Sequence, residues 1–248
     1  MISVILALLL TTSSLSAKEL YAFIAADTTS DIKESCKKDM KNVIRAMQGI
    51  SRETGMHLQL KQVNGKSLTK KTLDAWLESI KPGSDDVIYF HFSGHGLRAR
   101  QKKRTRWPEM AFTSKNELIP FKWVINEIGA KKARLAILIC DTCNTNFFPR
   151  AALPEYVPVP KKTNVYNETA GIKKLFLKTK GLIAATASAP GKVAWNSNYG
   201  GLFTNAFLVS LQQEVYKKNP QWEHVFKSTR KYVKDNQKPG ILLEISKT

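Results

Sequence analysis

Apolar positions in this chain fall into two kinds of run, which alternate along most of its length. Predominantly apolar stretches occupy Leu20–Ala26, Val87–Phe92, Arg134–Cys140, Gly181–Ala187 and Ile241–Ile245. Runs of this length without polar alternation mark strands buried on both faces of a sheet. His57–Val63 alternates apolar and polar residues, which puts it near a sheet edge. Between the strands, apolar residues recur at helical spacing. Asp31–Met47 carries Ile32, Val43, Ile44 and Met47 in this way. Thr69–Ile80 reads as a helix capped at Thr69 and closed by Pro82-Gly83, and Phe121–Ile128 as one ended by Gly129. Leu202–Tyr216 and Trp222–Val233 complete the helices. Strands alternating with helices predict an α/β fold. The expectation is a three-layer sandwich: a mostly parallel sheet of about six strands, right-handed crossovers and helices on both faces.

Two segments stand outside this alternation. Ile2–Leu10 is apolar and is followed by small polar residues ending Leu15-Ser16-Ala17, the pattern of a cleaved secretory signal over residues 1–17. A buried first strand competes for the same residues, but Thr11–Ser16 makes a poor strand and a better one begins at Leu20. The expected product is exported (periplasmic, secreted or at the cell surface), with one domain over residues 18–248. No segment is long enough to span a membrane. Residues 144–180 carry Pro149, Pro154, Pro158 and Pro160, then Lys161-Lys162 and Lys173-Lys174. They read as one long loop.

Charge changes the picture little. The net charge is +19, from 39 Lys and Arg against 20 Asp and Glu. It favours contact with anionic surfaces. No nucleic-acid motif or aromatic platform accompanies it, so no specific nucleic-acid partner is expected. The densest basic cluster runs from Arg98 to Arg106. Three cysteines make no disulfide framework. Cys140 and Cys143 spell C-x-x-C, which raises thiol redox chemistry as an alternative. Across three extended residues the two lie roughly 10 Å apart, beyond the 7 Å or so that a disulfide spans. Cys140 therefore reads as a small buried hydrophobe and Cys143 as the free thiol.

Candidate chemistry sits where two buried strands stop. One ends in Ser93-Gly-His95-Gly96, the other in Asp141-Thr-Cys143-Asn144. Ligands of open α/β sheets bind outside the carboxyl ends of the strands, so His95 and Cys143 should emerge side by side. A thiol beside an imidazole forms a nucleophile with its general base. The glycines around His95 leave room for a peptide and let backbone N–H groups approach a reacting carbonyl. The amides of Gly96 and Cys143 are the candidates for an oxyanion hole. His91, inside its strand, reads as a hydrogen-bonded core histidine.

These turns resemble the catalytic blocks of the caspase-like cysteine peptidases, most of all the metacaspase branch. That family has a histidine in an SGHG turn and a cysteine in a D-x-C turn, about 50 residues apart. Both are present at Ser93–Gly96 and Asp141–Cys143. The caspase signature Q-A-C-x-G is absent, and Asn144-Thr145-Asn146 replaces the metacaspase His-Ser-Gly after the cysteine. Further resemblance lies in Cys36-Lys-Lys-Asp39, in Gly200-Gly-Leu-Phe-Thr204 and in Gln237-Lys-Pro239.

The resemblance implies an endopeptidase acting on peptides or proteins through a thioester. An acidic pocket of Asp39 and Asp141, with Ser93 beside them, would hold a substrate Lys or Arg. The segment Ala187–Tyr199 would form another wall, with Trp195 as a hydrophobic contact. Self-cleavage in this family falls in the loop after the cysteine. Acids after Cys143 are scattered, so no calcium site, other metal or cofactor is expected. Two alternatives remain: a legumain- or clostripain-like peptidase, and a catalytically silent module that binds peptides or partners.

Overall fold

The computed structural model describes residues 17–98, 105–112, 117–146 and 168–247. Residues 1–16 of the expected signal lie outside this set, as do Lys161, Lys162 and residues 99–104 of the basic cluster. The described elements are β1 (Glu19–Ala26), α1 (Lys33–Thr54), β2 (His57–Asn64), α2 (Lys70–Ser79), β3 (Val87–Ser93), β4 (Gly96–Leu97), β5 (Glu109–Phe112) and β6 (Glu117–Pro120). They continue with α3 (Phe121–Ala130), β7 (Leu135–Asp141), α4 (Glu168–Leu177), β8 (Thr179–Thr186), β9 (Asn196–Ser197), β10 (Gly200–Gly201), α5 (Leu202–Val215), α6 (Trp222–Val233) and β11 (Gly240–Lys247).

The main sheet has six strands in the order β11-β8-β7-β3-β1-β2. All neighbours run parallel except β11, which is antiparallel to β8. The expected α/β sandwich is therefore present, with β2 at an edge. Alternate residues of each buried strand feed two cores. Leu20, Ala22 and Ile24 of β1 face one core, with α1, α4, α5 and α6. Tyr21, Phe23 and Ala25 face the other, with α2 and α3. On that second face Phe23 stacks on Phe90 at 5.6 Å and meets Trp76 at 4.9 Å.

Four local expectations need correcting. Helix α1 runs on to Thr54, because Ile50 continues the buried stripe of Val43 and Met47; Gly55, at φ 75°, stops it. Gly129 lies inside α3, and the chain turns at Lys132, φ 55°. Residues 168–177 are helix, not loop: Ile172, Leu175 and Phe176 bury one face of α4 against the first core. Finally, α4 lies on the α1 face although it carries the chain the opposite way across the sheet. Its crossover therefore has the opposite hand to the α1 crossover. A long connection from Asp141 relaxes the geometry that makes short crossovers uniform. Strands β4, β5 and β6 form a second small sheet, too short to read from the sequence, which covers the second core with Met110, Phe112 and Ile119.

Strands β1 and β3 are neighbours, yet their onward connections leave on opposite faces of the sheet. This is the topological switch point of an open α/β sheet, where a crevice forms at the carboxyl ends. The loop after β1 and the histidine turn after β3 both open into it.

Candidate active site

The register of β3 and β7 sets the site. Ser93 pairs with Asp141 in parallel, so the chain two residues beyond each gives His95 and Cys143. The amide of Gly94 donates to the Asp141 carbonyl at 3.2 Å. A Cβ on Gly94 would lie 2.7 Å from the Phe92 ring, and one on Gly96 would lie 2.1 Å from Thr142 Oγ1. Only glycine fits where the histidine turn presses onto the cysteine turn. Ala111 N–H donates to the His95 carbonyl, so the Gly96–Met110 pair of β4 and β5 is of the non-hydrogen-bonded type. That directs the Gly96 amide away from β5.

Cys143 is half-buried. Its Sγ accepts the amide of Ala194 at 3.2 Å and lies 3.7 Å from the Ala194 carbonyl. Burial pushes the thiol up to about 11; the Ala194 amide pulls it back and the Asp141 carboxyl adds to the rise. The resting sulfur is therefore a thiol, and it needs a base to react. Asn144 zips this turn to the segment after β8. Its amide donates to Lys192 O at 3.0 Å, and its carbonyl accepts from Gly191 N at 2.7 Å. The buried Asn144 side chain donates to Arg106 O at 2.9 Å and to Ser188 O at 3.2 Å.

His95 is only 6% exposed. Its Nε2 lies 2.7 Å from Asp31 Oδ1, and Asp31 is largely exposed. The sequence pattern places Asp31 only at the start of a helix. An acidic residue just after the first strand, at the same sheet end as His95, was the signal for it. His91 is fully buried, but among the described residues neither ring nitrogen has a hydrogen-bond partner, which corrects the expectation of a bonded core histidine. Burial alone drives its pKa down to about 3, so it stays neutral.

Beneath the two turns lie Asp39 and Asp141, both buried. Asp39, from α1, accepts from Ser93 Oγ at 2.6 Å and from the Gly201 amide at 2.9 and 3.0 Å. Asp141 accepts from the Thr204 amide at 2.8 Å and the Thr204 hydroxyl at 2.7 Å. A Cβ on Gly201 would sit 2.2 Å from Asp141 Oδ2 and 2.9 Å from Asp39 Oδ2. The two carboxylates thus both press on Gly201. Burial pushes Asp39 well above the usual carboxylate range, Asp141 adds to it, and the Ser93 and Gly201 bonds only partly offset this. Burial likewise lifts Asp141 to about 6 against its bonds from Thr204. Among the described residues neither carboxylate has a cationic partner.

Trp195 is tied to the far wall. Its amide donates to Gln237 Oε1 at 2.9 Å and its indole to Asn236 O at 2.7 Å. It packs with Leu202, Ala206 and Val233. Thr204, Gly201 and Gln237 sit in segments the sequence reading singled out, but without these bonding roles. Ala194 likewise lies in the expected wall Ala187–Tyr199, and its part is played by backbone.

The caspase-domain family model (peptidase C14) matches residues 24–247. Among curated proteins none matches this chain. A crystal structure of a Geobacter sulfurreducens protein from a structural genomics programme is similar at a TM-score of 0.58 and 15% identity. The match covers 90% of this chain and 92% of that one. At that identity the likeness speaks for the fold alone.

Proposed function

Since this chain belongs to the caspase-domain peptidase family, we propose that it is a metacaspase-like cysteine endopeptidase cutting after Lys or Arg. The observation that carries the specificity is the buried pair Asp39 and Asp141, which both pack against Gly201 and have no cationic partner among the described residues. Holding two carboxyls out of water is costly unless they are paired. A substrate guanidinium or ammonium supplies charge-assisted bonds that relieve both. An aspartate side chain there would add a third acid.

The chemistry follows from the turns. His95 takes the proton of the Cys143 thiol, and Sγ attacks the scissile carbonyl carbon. The amides of Gly96 and Cys143 receive the oxyanion. The tetrahedral intermediate collapses to a thioester as the imidazolium protonates the leaving amine. Water, activated by the same imidazole, then releases the acid. We place the mature enzyme outside the cytoplasm, on the signal-like residues 1–17.

Fluorogenic peptides ending in Arg, Lys or Asp decide this reading. Arg and Lys peptides should be cut at least about a hundredfold faster than Asp peptides, given a charge-assisted pair in a dry pocket. Cys143→Ala and His95→Ala should abolish cleavage and keep the fold. A preference for Asp, or turnover without Cys143, would overturn it.

A further inference from the structure

We propose that Asp31 is a third member of the catalytic machinery, a positioning residue that fixes the tautomer and orientation of His95. The inference rests on His95 being the base of the reading above. Three observations carry it. Asp31 Oδ1 lies 2.7 Å from His95 Nε2, hydrogen-bond distance for a charge-assisted pair. The histidine ring is 6% exposed, so it holds this one orientation within packed surroundings. And the loop bearing Asp31 is built onto the histidine strand. Asp27 N–H donates to the Ser93 carbonyl at 2.9 Å. Asp27 Oδ1 accepts from Thr29 N, Thr29 Oγ1 and Ser30 N, each at 3.2 Å. Ser30 O in turn accepts from Lys33 N at 3.2 Å, where α1 begins. A Cβ on Gly94 would come within 3.0 Å of Asp27 Cβ, so loop and histidine turn are in direct contact.

The consequence is a division of labour between the ring nitrogens. A carboxylate at Nε2 keeps that nitrogen protonated and assigns Nδ1 to accept the thiol proton. When the proton moves from Sγ to Nδ1, the ring becomes an imidazolium and the adjacent carboxylate stabilises it. No bond to Asp31 is made or broken. Because Asp31 is 64% exposed, water screens part of this effect. The expected loss is therefore smaller than in a fully buried triad.

The test uses the full chain with Asp31→Ala, Asp31→Asn and Asp31→Glu. Asp31 is exposed, so all three should fold, and circular dichroism checks it. For Asp31→Ala, kcat on an Arg peptide should fall about tenfold to a hundredfold with KM within about threefold. Asp31→Glu should recover part of the loss. Imidazole nitrogen NMR gives a readout that a surface role would not move. With only four histidines, His95 is assignable, and its Nε2–H tautomer should give way to a mixture in Asp31→Ala. Alkylation of Cys143 by iodoacetamide should slow in the same variant.

Unchanged kcat and an unchanged tautomer would overturn the proposal while leaving the peptidase reading intact. A rise in KM alone would also overturn it, by making Asp31 a substrate contact. If the natural chain cuts no peptide, the peptidase reading fails. The tautomer and alkylation measurements then still decide whether Asp31 positions His95.

Discussion

Replacing Asp141 by asparagine should make the protein more stable at pH 8 and inactive toward basic peptides. The Asp141 carboxyl is buried and its pKa lies at about 6, against about 3.9 in an unfolded chain. The folded state therefore holds this proton more tightly than the unfolded one. Stability from this group is fully present below about pH 4 and is lost as pH rises through about 6. Two pH units correspond to about 3 kcal/mol, and Asp39, shifted in the same direction, deepens the loss. The amide is nearly the same shape. Its oxygen accepts the amide and hydroxyl of Thr204, as the carboxylate does now. The charge goes without orphaning a donor. Asp141→Asn should gain about 2–3 kcal/mol at pH 8 and little at pH 4.5. Urea unfolding at pH 4.5, 6 and 8 measures this, on a Cys143→Ala background that prevents self-cleavage. A less stable variant at pH 8, or an unchanged slope of stability against pH, would refute the argument that the pocket is held at a cost to the fold. Such a cost is familiar where binding sites keep groups that suit a ligand better than the empty protein.

Gly96→Ala should lose at least about a hundredfold in activity and about 1–3 kcal/mol in stability, because its Cβ would meet Thr142 Oγ1 at 2.1 Å and Glu109 O at 2.9 Å; peptide turnover and urea unfolding measure both. Self-cleavage, read by N-terminal sequencing of incubated protein, should fall after Lys161 or Lys162 and spare Lys173 and Lys174, which sit inside α4; a protease needs extended backbone, and α4 must unwind to offer it. Cleavage within α4, or in Cys143→Ala, would contradict this.

The sheet was legible because its central strands are buried on both faces. Val87–Ser93 and Leu135–Asp141 are buried at every position, and no competing pattern explains such runs. What escaped had weaker or divided signals. In β4, β9 and β10 two residues give no periodicity at all. Helix α4 was hidden by the prolines that precede it, and its mixed Lys and apolar pattern gives only a modest stripe. A buried ring ordinarily finds a partner; His91, flanked by Ile24 and Ile139 on the neighbouring strands, stays neutral with none among the described residues.

The candidate site divides along a different line. Of the side chains that carry the proposed chemistry, Cys143, His95 and Asp141 are visible because they stand where buried apolar strands stop, and Asp39 is visible only through the family resemblance. Their partners are largely backbone: Ala194 N–H for the thiol, Gly201 N–H for Asp39, Thr204 N–H for Asp141. Any residue but proline supplies an N–H, so residue identity says nothing about where one points. Glycine is the exception, since it is demanded where backbone must come close. Gly96 and Gly201 are among the places where another turn or a carboxylate presses against the chain. Asp31 belongs to neither class. It is an exposed acid in a polar loop, and its meaning depends on Asp27 folding that loop onto Ser93. A residue of this kind becomes readable only once the strand order is known, because β1 and β3 must be neighbours before Asp31 and His95 can meet.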